Sequence, residues 1–217
     1  MRMTLALSRR ALLAAAAGLA LAPSIAQAAP LKLLAYGDSL IHGYGLGPAE
    51  VFSVQLEQAL RTAGREVTVI NGGNSGDTTA AGLARVDWTL AERPDAVLLL
   101  LGANDFLRGL DPKETAANLR ALLQRFQAEG LPVLLAGMLA PQNLGADYAA
   151  EFDAIYPTLA TEFDALLYPF FLEGVALDPA LNQPDGIHPN AAGVAVIVGR
   201  ILPSVEALLD RAATPPS

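Results

Sequence analysis

The run Ala96-Val97-Leu98-Leu99-Leu100-Leu101 contains no polar residue. A strand with one face in water alternates polar and apolar residues. Only a strand covered on both faces is apolar at every position, and parallel sheets are where such strands occur. Runs of strand length also stand at Leu31–Tyr36, Val67–Ile70, Pro132–Ala136 and Leu166–Tyr168. Helical patterns lie between them at Val51–Ala63, Thr79–Ala91, Pro112–Glu129 and Tyr148–Phe163, with Asn190–Leu209 as the last helix. Within Pro112–Glu129, the residues Ala116, Leu119, Leu122, Leu123 and Phe126 recur at helical spacing. Gly64 and Gly130 stand just past helix ends, where left-handed caps are common. Strands alternating with helices predict an α/β fold: one doubly wound domain around a parallel sheet. Sites in such sheets lie beyond the carboxyl ends of the strands.

The first 28 residues do not share this pattern. Arg2, Arg9 and Arg10 make a basic start without an acidic residue, Ala11 to Ala22 is apolar, and Ala26-Gln27-Ala28 has the small-x-small form of a cleavage site. This predicts a secretory signal peptide over residues 1–28 and a mature domain over residues 29–217. The twelve apolar residues before Pro23 fall short of the ~20 that a membrane span requires, so no membrane anchor is expected. Ser8-Arg9-Arg10-Ala11-Leu12-Leu13 also fits a twin-arginine signal, and paired arginines occur in ordinary export signals, so both routes stay open. With no cysteine, the chain has neither a lipoprotein attachment site nor a disulfide framework. A periplasmic or secreted protein follows. Loss of the three arginines moves the formal net charge from −8 to −11, which excludes nucleic acid as a natural partner. The tail from Ala213 to Ser217 is expected to fray.

Three motifs follow the first three strands, and a fourth precedes the last helix. In Gly37-Asp38-Ser39-Leu40, glycine permits a sharp exit from the strand. The serine opens a helical turn whose start favours negative charge, and it would serve equally as an N-cap. A Gly-x-Ser-x-Gly elbow is absent, which removes support for an α/β-hydrolase. The loop Asn71-Gly72-Gly73-Asn74-Ser75-Gly76-Asp77 is glycine-rich, so its backbone N–H groups can converge on an anion. It has no Lys and no Gly-Lys-Ser/Thr ending, which argues against phosphate binding, and Asp77 or Thr78 can cap the next helix. In Gly102-Ala103-Asn104-Asp105, the Asn104 amide can donate to a developing alkoxide without titrating. The same pair also suits a turn and helix cap.

Asp185-Gly186-Ile187-His188 puts a carboxylate and an imidazole three residues apart on one loop, between Pro184 and Pro189. The carboxylate can take the Nδ1 proton and leave Nε2 for a nucleophile. His42, the other histidine, follows Ser39 by three residues, with no evident carboxylate to fix its tautomer. It is expected at the rim of the pocket, and Asp38 is expected to point away from the nucleophile. Asp38, Asp77, Asp105 and His188 lack the ligand spacing of a catalytic zinc site, so no metal is expected.

The four motifs in this order resemble the SGNH hydrolases, also called the GDSL esterase/lipase family. The likeness runs from about Leu31 to about Leu209 and is greatest to the periplasmic multifunctional thioesterase/lysophospholipase and arylesterase group. Ile155-Tyr156-Pro157 and Tyr168-Pro169-Phe170-Phe171 strengthen it. The resemblance implies a flavodoxin-like three-layer αβα sandwich with a five-stranded parallel sheet in the order 2-1-3-4-5. It implies a triad of Ser39, His188 and Asp185, with an oxyanion hole from the Ser39 N–H, the Gly76 N–H and the Asn104 side chain. The activity it implies is carboxylic ester hydrolysis through an acyl-enzyme on Ser39, extending to thioesters or lysophospholipids, with no cofactor.

Relatives often carry a small residue at the position of His42. Phe106, Leu107, Leu139 and Leu144 follow the third and fourth strands and are the candidate substrate-binding residues of an acyl groove. The expected partner is a small-molecule acyl ester or thioester, and the chain is expected to act as a monomer. The alternatives are a carbohydrate acetylesterase of the same superfamily, a non-catalytic flavodoxin-like binding module, and a silent scaffold. A binding module has no need of the Asp185 and His188 pair.

Overall fold

The computed structural model describes residues 30–214, and the signal-peptide segment lies outside the described residues. The chain runs through β1 (Leu31–Gly37), α1 (Ser39–His42), α2 (Phe52–Thr62), β2 (Val67–Gly73), α3 (Thr79–Leu90), β3 (Ala96–Leu100) and α4 (Ala103–Leu107). It continues through α5 (Pro112–Ala128), β4 (Val133–Ala136), α6 (Ala146–Asp153), α7 (Ile155–Glu162), β5 (Leu166–Tyr168) and α8 (Ala191–Ala213). All five strands pair in parallel in the order β2-β1-β3-β4-β5, the expected topology. Helices α2 and α8 pack together over one face of the sheet, and α3 packs on α5 over the other. Ala96 through Leu101 are fully buried, which is why that run carries no polar residue.

Register sets the position of the site. Gly37 at the end of β1 is level with Gly73 of β2 and Leu100 of β3, so the loops leaving these three neighbouring strands start side by side. β2 is longer than the apolar pattern predicts, because Asn71, Gly72 and Gly73 stay in the ladder. A Cβ on Gly73 would lie 2.2 Å from the His42 backbone nitrogen, and one on Gly72 would lie 2.7 Å from Leu34 Cδ1. Both glycines therefore serve close packing: Gly73 lets α1 rest directly on the strand, and Gly72 makes room for Leu34 and Tyr36 of β1.

The single helix expected over Tyr148–Phe163 is divided at Ala154 into α6 and α7. Pro157 is the third residue of α7, where its missing N–H removes no intrahelical bond. Starting a new helix two residues before the proline avoids the bond that proline would have broken. Helix α8 runs past the expected end to Ala213, with Asn190 Oδ1 capping it through Gly193 N–H at 3.0 Å. Among the described residues it is the helix long and apolar enough to cross a membrane. Here Val194, Ile197, Val198, Ile201, Val205, Leu208 and Leu209 are buried along it, making it the core helix of the α2 side.

Candidate active site

Ser39 opens α1 but does not cap it. The cap is Asp38, whose Oδ1 accepts the Leu40 N–H at 3.0 Å. The hydroxyl of Ser39 is thereby released toward the end of the sheet, where its Oγ lies 2.8 Å from His188 Nε2. His188 Nδ1 lies 2.7 Å from Asp185 Oδ2. The other oxygen of Asp185 accepts two backbone N–H groups, from Ile187 and His188, at 3.0 Å each. One oxygen thus shapes the loop while the other orients the ring. The hydrogen bond from the His188 ring, followed by those two backbone bonds, holds the Asp185 carboxyl down at about 2. An acid ionised this far below neutrality only accepts, so Nδ1 carries the proton and Nε2 is left to accept from Ser39.

Backbone pairing holds the His188 loop in addition to its prolines. Gln183 N–H donates to His188 O at 2.7 Å, and Asn190 N–H donates to Leu181 O at 2.9 Å. The Gln183 amide also donates to Tyr44 O at 2.7 Å and to Pro189 O at 3.0 Å, fastening the segment after α1 to the His188 loop. The Tyr44 ring leans on the His188 ring with centroids 4.7 Å apart. Neither Gln183 nor Tyr44 belongs to a motif, so only the folded chain reveals them.

Asn104 is the second residue of α4, and its Nδ2 donates to Asp38 Oδ2 at 3.3 Å. Gly76 has a φ of +86°, a conformation open chiefly to glycine, and its carbonyl accepts from Arg108 Nη2 at 2.6 Å. Among the described residues, neither the Gly76 N–H nor the Ser39 N–H has a protein acceptor. The aspartates of the motifs are separated by their partners. Asp77 pairs with Arg85 Nε at 2.6 Å, and Arg85 also donates to Gly37 O at 2.9 Å. Asp105 is buried and accepts from Thr79 N–H at 2.9 Å and from the Thr79 and Thr115 hydroxyls. Each thus ties a site loop to a helix, and among the described residues no three His, Cys, Asp or Glu gather as a metal site.

Three expectations change. Asp38, expected to point away, is 1% exposed, lines the cavity beside Ser39 and binds Asn104. His42, expected at the rim, lies outside the cavity wall; its exposed ring sits with Nδ1 3.4 Å from Gly73 O. The close seat of α1 on Gly73 sets that residue against the end of β2. The cavity, of about 550 Å³, is lined by Ser39, Asn104 and His188 together with Phe106, Leu107 and Leu139, but not by Leu144. Gln142–Leu144 form a 3-10 turn, in which residues two apart face different sides, and Gln142 is the one on the wall. A larger depression of about 760 Å³ between α2 and α8 has no titratable residue on its wall.

The GDSL-like lipase/acylhydrolase family matches residues 35–196. The chain is 39% identical over 184 residues to "Esterase TesA" of Pseudomonas aeruginosa, covering 84% of this chain and 92% of that protein. It is 43% identical over 164 residues to "Thioesterase 1/protease 1/lysophospholipase L1" of Escherichia coli, covering 75% and 77% respectively. The crystal structure of AlinE4, an SGNH-hydrolase family esterase, superposes with a TM-score of 0.71 at 48% identity, covering 83% of this chain and 97% of that one. The motifs, the sheet order and these likenesses agree, and the chain belongs to the GDSL-like lipase/acylhydrolase family of serine hydrolases.

Proposed function

We propose that the protein is a carboxylic ester hydrolase that works through an acyl-enzyme on Ser39. The observation that carries this reading is the unbroken chain from Ser39 Oγ to His188 Nε2 at 2.8 Å and from His188 Nδ1 to Asp185 at 2.7 Å. Ser39 Oγ attacks the acyl carbonyl as His188 takes its proton, and Asp185 stabilises the imidazolium. The Ser39 N–H, the Gly76 N–H and the Asn104 amide receive the oxyanion. His188 then returns the proton to the leaving alcohol or thiol, and water activated by the same imidazole releases the acid. All of these groups come from one chain, so a monomer suffices.

The cavity wall favours an acyl chain over a sugar. Phe106, Leu107, Met138, Leu139, Leu172 and Ile187 give it a largely apolar surface of the size usual for small-molecule sites. The names of the relatives extend the reading to thioesters and lysophospholipids. Residues 1–28 would direct the protein to the periplasm or medium, leaving a mature chain that starts at Ala29. A panel of p-nitrophenyl esters and acyl-CoA thioesters of rising chain length, assayed in EDTA, tests the proposal. Hydrolysis of short-to-medium acyl esters is expected. Activity that disappears in EDTA and returns with a divalent ion, or that is confined to acetylated sugars, would overturn it.

A further inference from the structure

Asp38 is a buried carboxyl with no role in the acyl-transfer steps. Its two oxygens have separate partners: Oδ1 accepts the Leu40 N–H at 3.0 Å, and Oδ2 accepts from Asn104 Nδ2 at 3.3 Å. Capping alone does not explain it, since serine or asparagine would cap as well and avoid burying a charge. The charged and titratable groups facing it are few. His188 lies across the cavity, Asp77 is engaged by Arg85, Tyr156 donates its hydroxyl to Leu101 O, and Asp105 is turned into Thr79.

An asparagine amide has two edges of nearly the same shape, so packing barely distinguishes its NH2 from its carbonyl. A carboxylate does distinguish them, because it only accepts. While Asp38 is ionised, the NH2 of Asn104 must face it, and the second N–H of that group remains free for the oxyanion. A protonated Asp38 can donate to Asn104 Oδ1 instead, which permits the flipped amide and sets an oxygen against the developing negative charge. We propose that ionised Asp38 is a positioning residue that keeps the donor edge of Asn104 turned toward the oxyanion. This rests on the acyl-transfer reading given above. Burial, opposed by the Leu40 N–H, His188 and Asn104, pushes the Asp38 carboxyl up to about 6. The lock therefore opens within the pH range where an esterase is assayed.

A double-mutant cycle on kcat tests the coupling. Asp38→Asn is expected to lower kcat about 10- to 100-fold, less than the ~10²–10³ of a deleted oxyanion donor, with KM nearly unchanged. In an Asn104→Ala background the same substitution should change kcat by less than about 3-fold, because no amide remains to be oriented. Equal losses in both backgrounds would overturn the proposal. A second readout needs no change at Asp38. On the acid side, kcat of the unaltered enzyme should fall more steeply than that of Asn104→Ala, the difference being the protonation of Asp38. Identical acid limbs would overturn it. A kcat unchanged by Asn104→Ala, or a Ser39 that fails to react with a fluorophosphonate, would instead overturn the acyl-transfer reading and this proposal with it.

Discussion

Asp185 and Asp38 each bind a group assigned to assist Ser39 in the proposed reaction, His188 and Asn104, yet their surroundings drive them apart. The Asp185 side chain is 37% exposed, with two backbone N–H groups and the His188 ring directed at it, and its carboxyl is held at about 2. Asp38 is 1% exposed with one backbone N–H and one amide, and its carboxyl rises to about 6. Donor count and solvent, rather than residue type, decide the outcome. On the proposed mechanism the consequence is a division of labour. Asp185 stays charged at every working pH and can support an imidazolium throughout, while Asp38 changes state where the enzyme operates.

The largest effects should fall on the Asp185 side of this comparison. Ser39→Ala and His188→Ala should each lose activity on the order of 10⁴–10⁶-fold in steady-state assays, since triad members act as a unit. Asp185→Asn should lose on the order of 10⁴-fold in kcat by freeing the wrong tautomer of His188. An Asp185→Asn enzyme of near-normal kcat would break the contrast at once. Asn104→Ala comes next, with a loss of ~10²–10³-fold in kcat and little change in KM.

Stability should move the other way for Asp38. Its folded pKa of about 6 exceeds the unfolded value of 3.8, so the folded state holds the proton more tightly. Ionisation therefore lowers stability as pH rises from about 4 to 6, by up to roughly 3 kcal/mol. Asp38→Asn, which keeps the cap and removes the charge, should melt higher than the parent above pH 6 while hydrolysing more slowly. Equal melting temperatures at pH 5 and pH 8 for parent and variant would show that Asp38 is not a strained carboxylate. The smallest effect belongs to His42→Ala, expected to alter kcat by less than about 2-fold, because that exposed ring lies outside the cavity wall.

How much of this could be read in the chain depends on the range of the interaction concerned. The β3 run shows its burial directly, since a doubly covered strand leaves no place for a polar residue. Asp185 and His188 are legible because carboxylate, ring and loop are neighbours in sequence. Ser39 and Asn104 are legible because they follow buried strands. What escaped depends on contacts across the fold. Gly72 and Gly73 read as loop because their value lies in what packs against them, β1 side chains on Gly72 and the backbone of α1 on Gly73. Asp38 meets Asn104 of α4 across 66 residues of sequence, and the place of His42 depends on where α1 rests. Gln183 and Tyr44 hold the His188 loop from outside every motif. The face of Leu144 turns on a 3-10 geometry that no apolar spacing announces.

The most direct measurement is covalent labelling of the pure protein with a fluorophosphonate, followed by peptide mass mapping and repeated on the two histidine variants. A single adduct on the peptide containing Ser39 is expected, forming at the parent rate in His42→Ala and orders of magnitude more slowly in His188→Ala. An adduct on another residue, or labelling that survives loss of His188 and fails with loss of His42, would contradict the assignment of Ser39, His188 and Asp185 as the reacting unit.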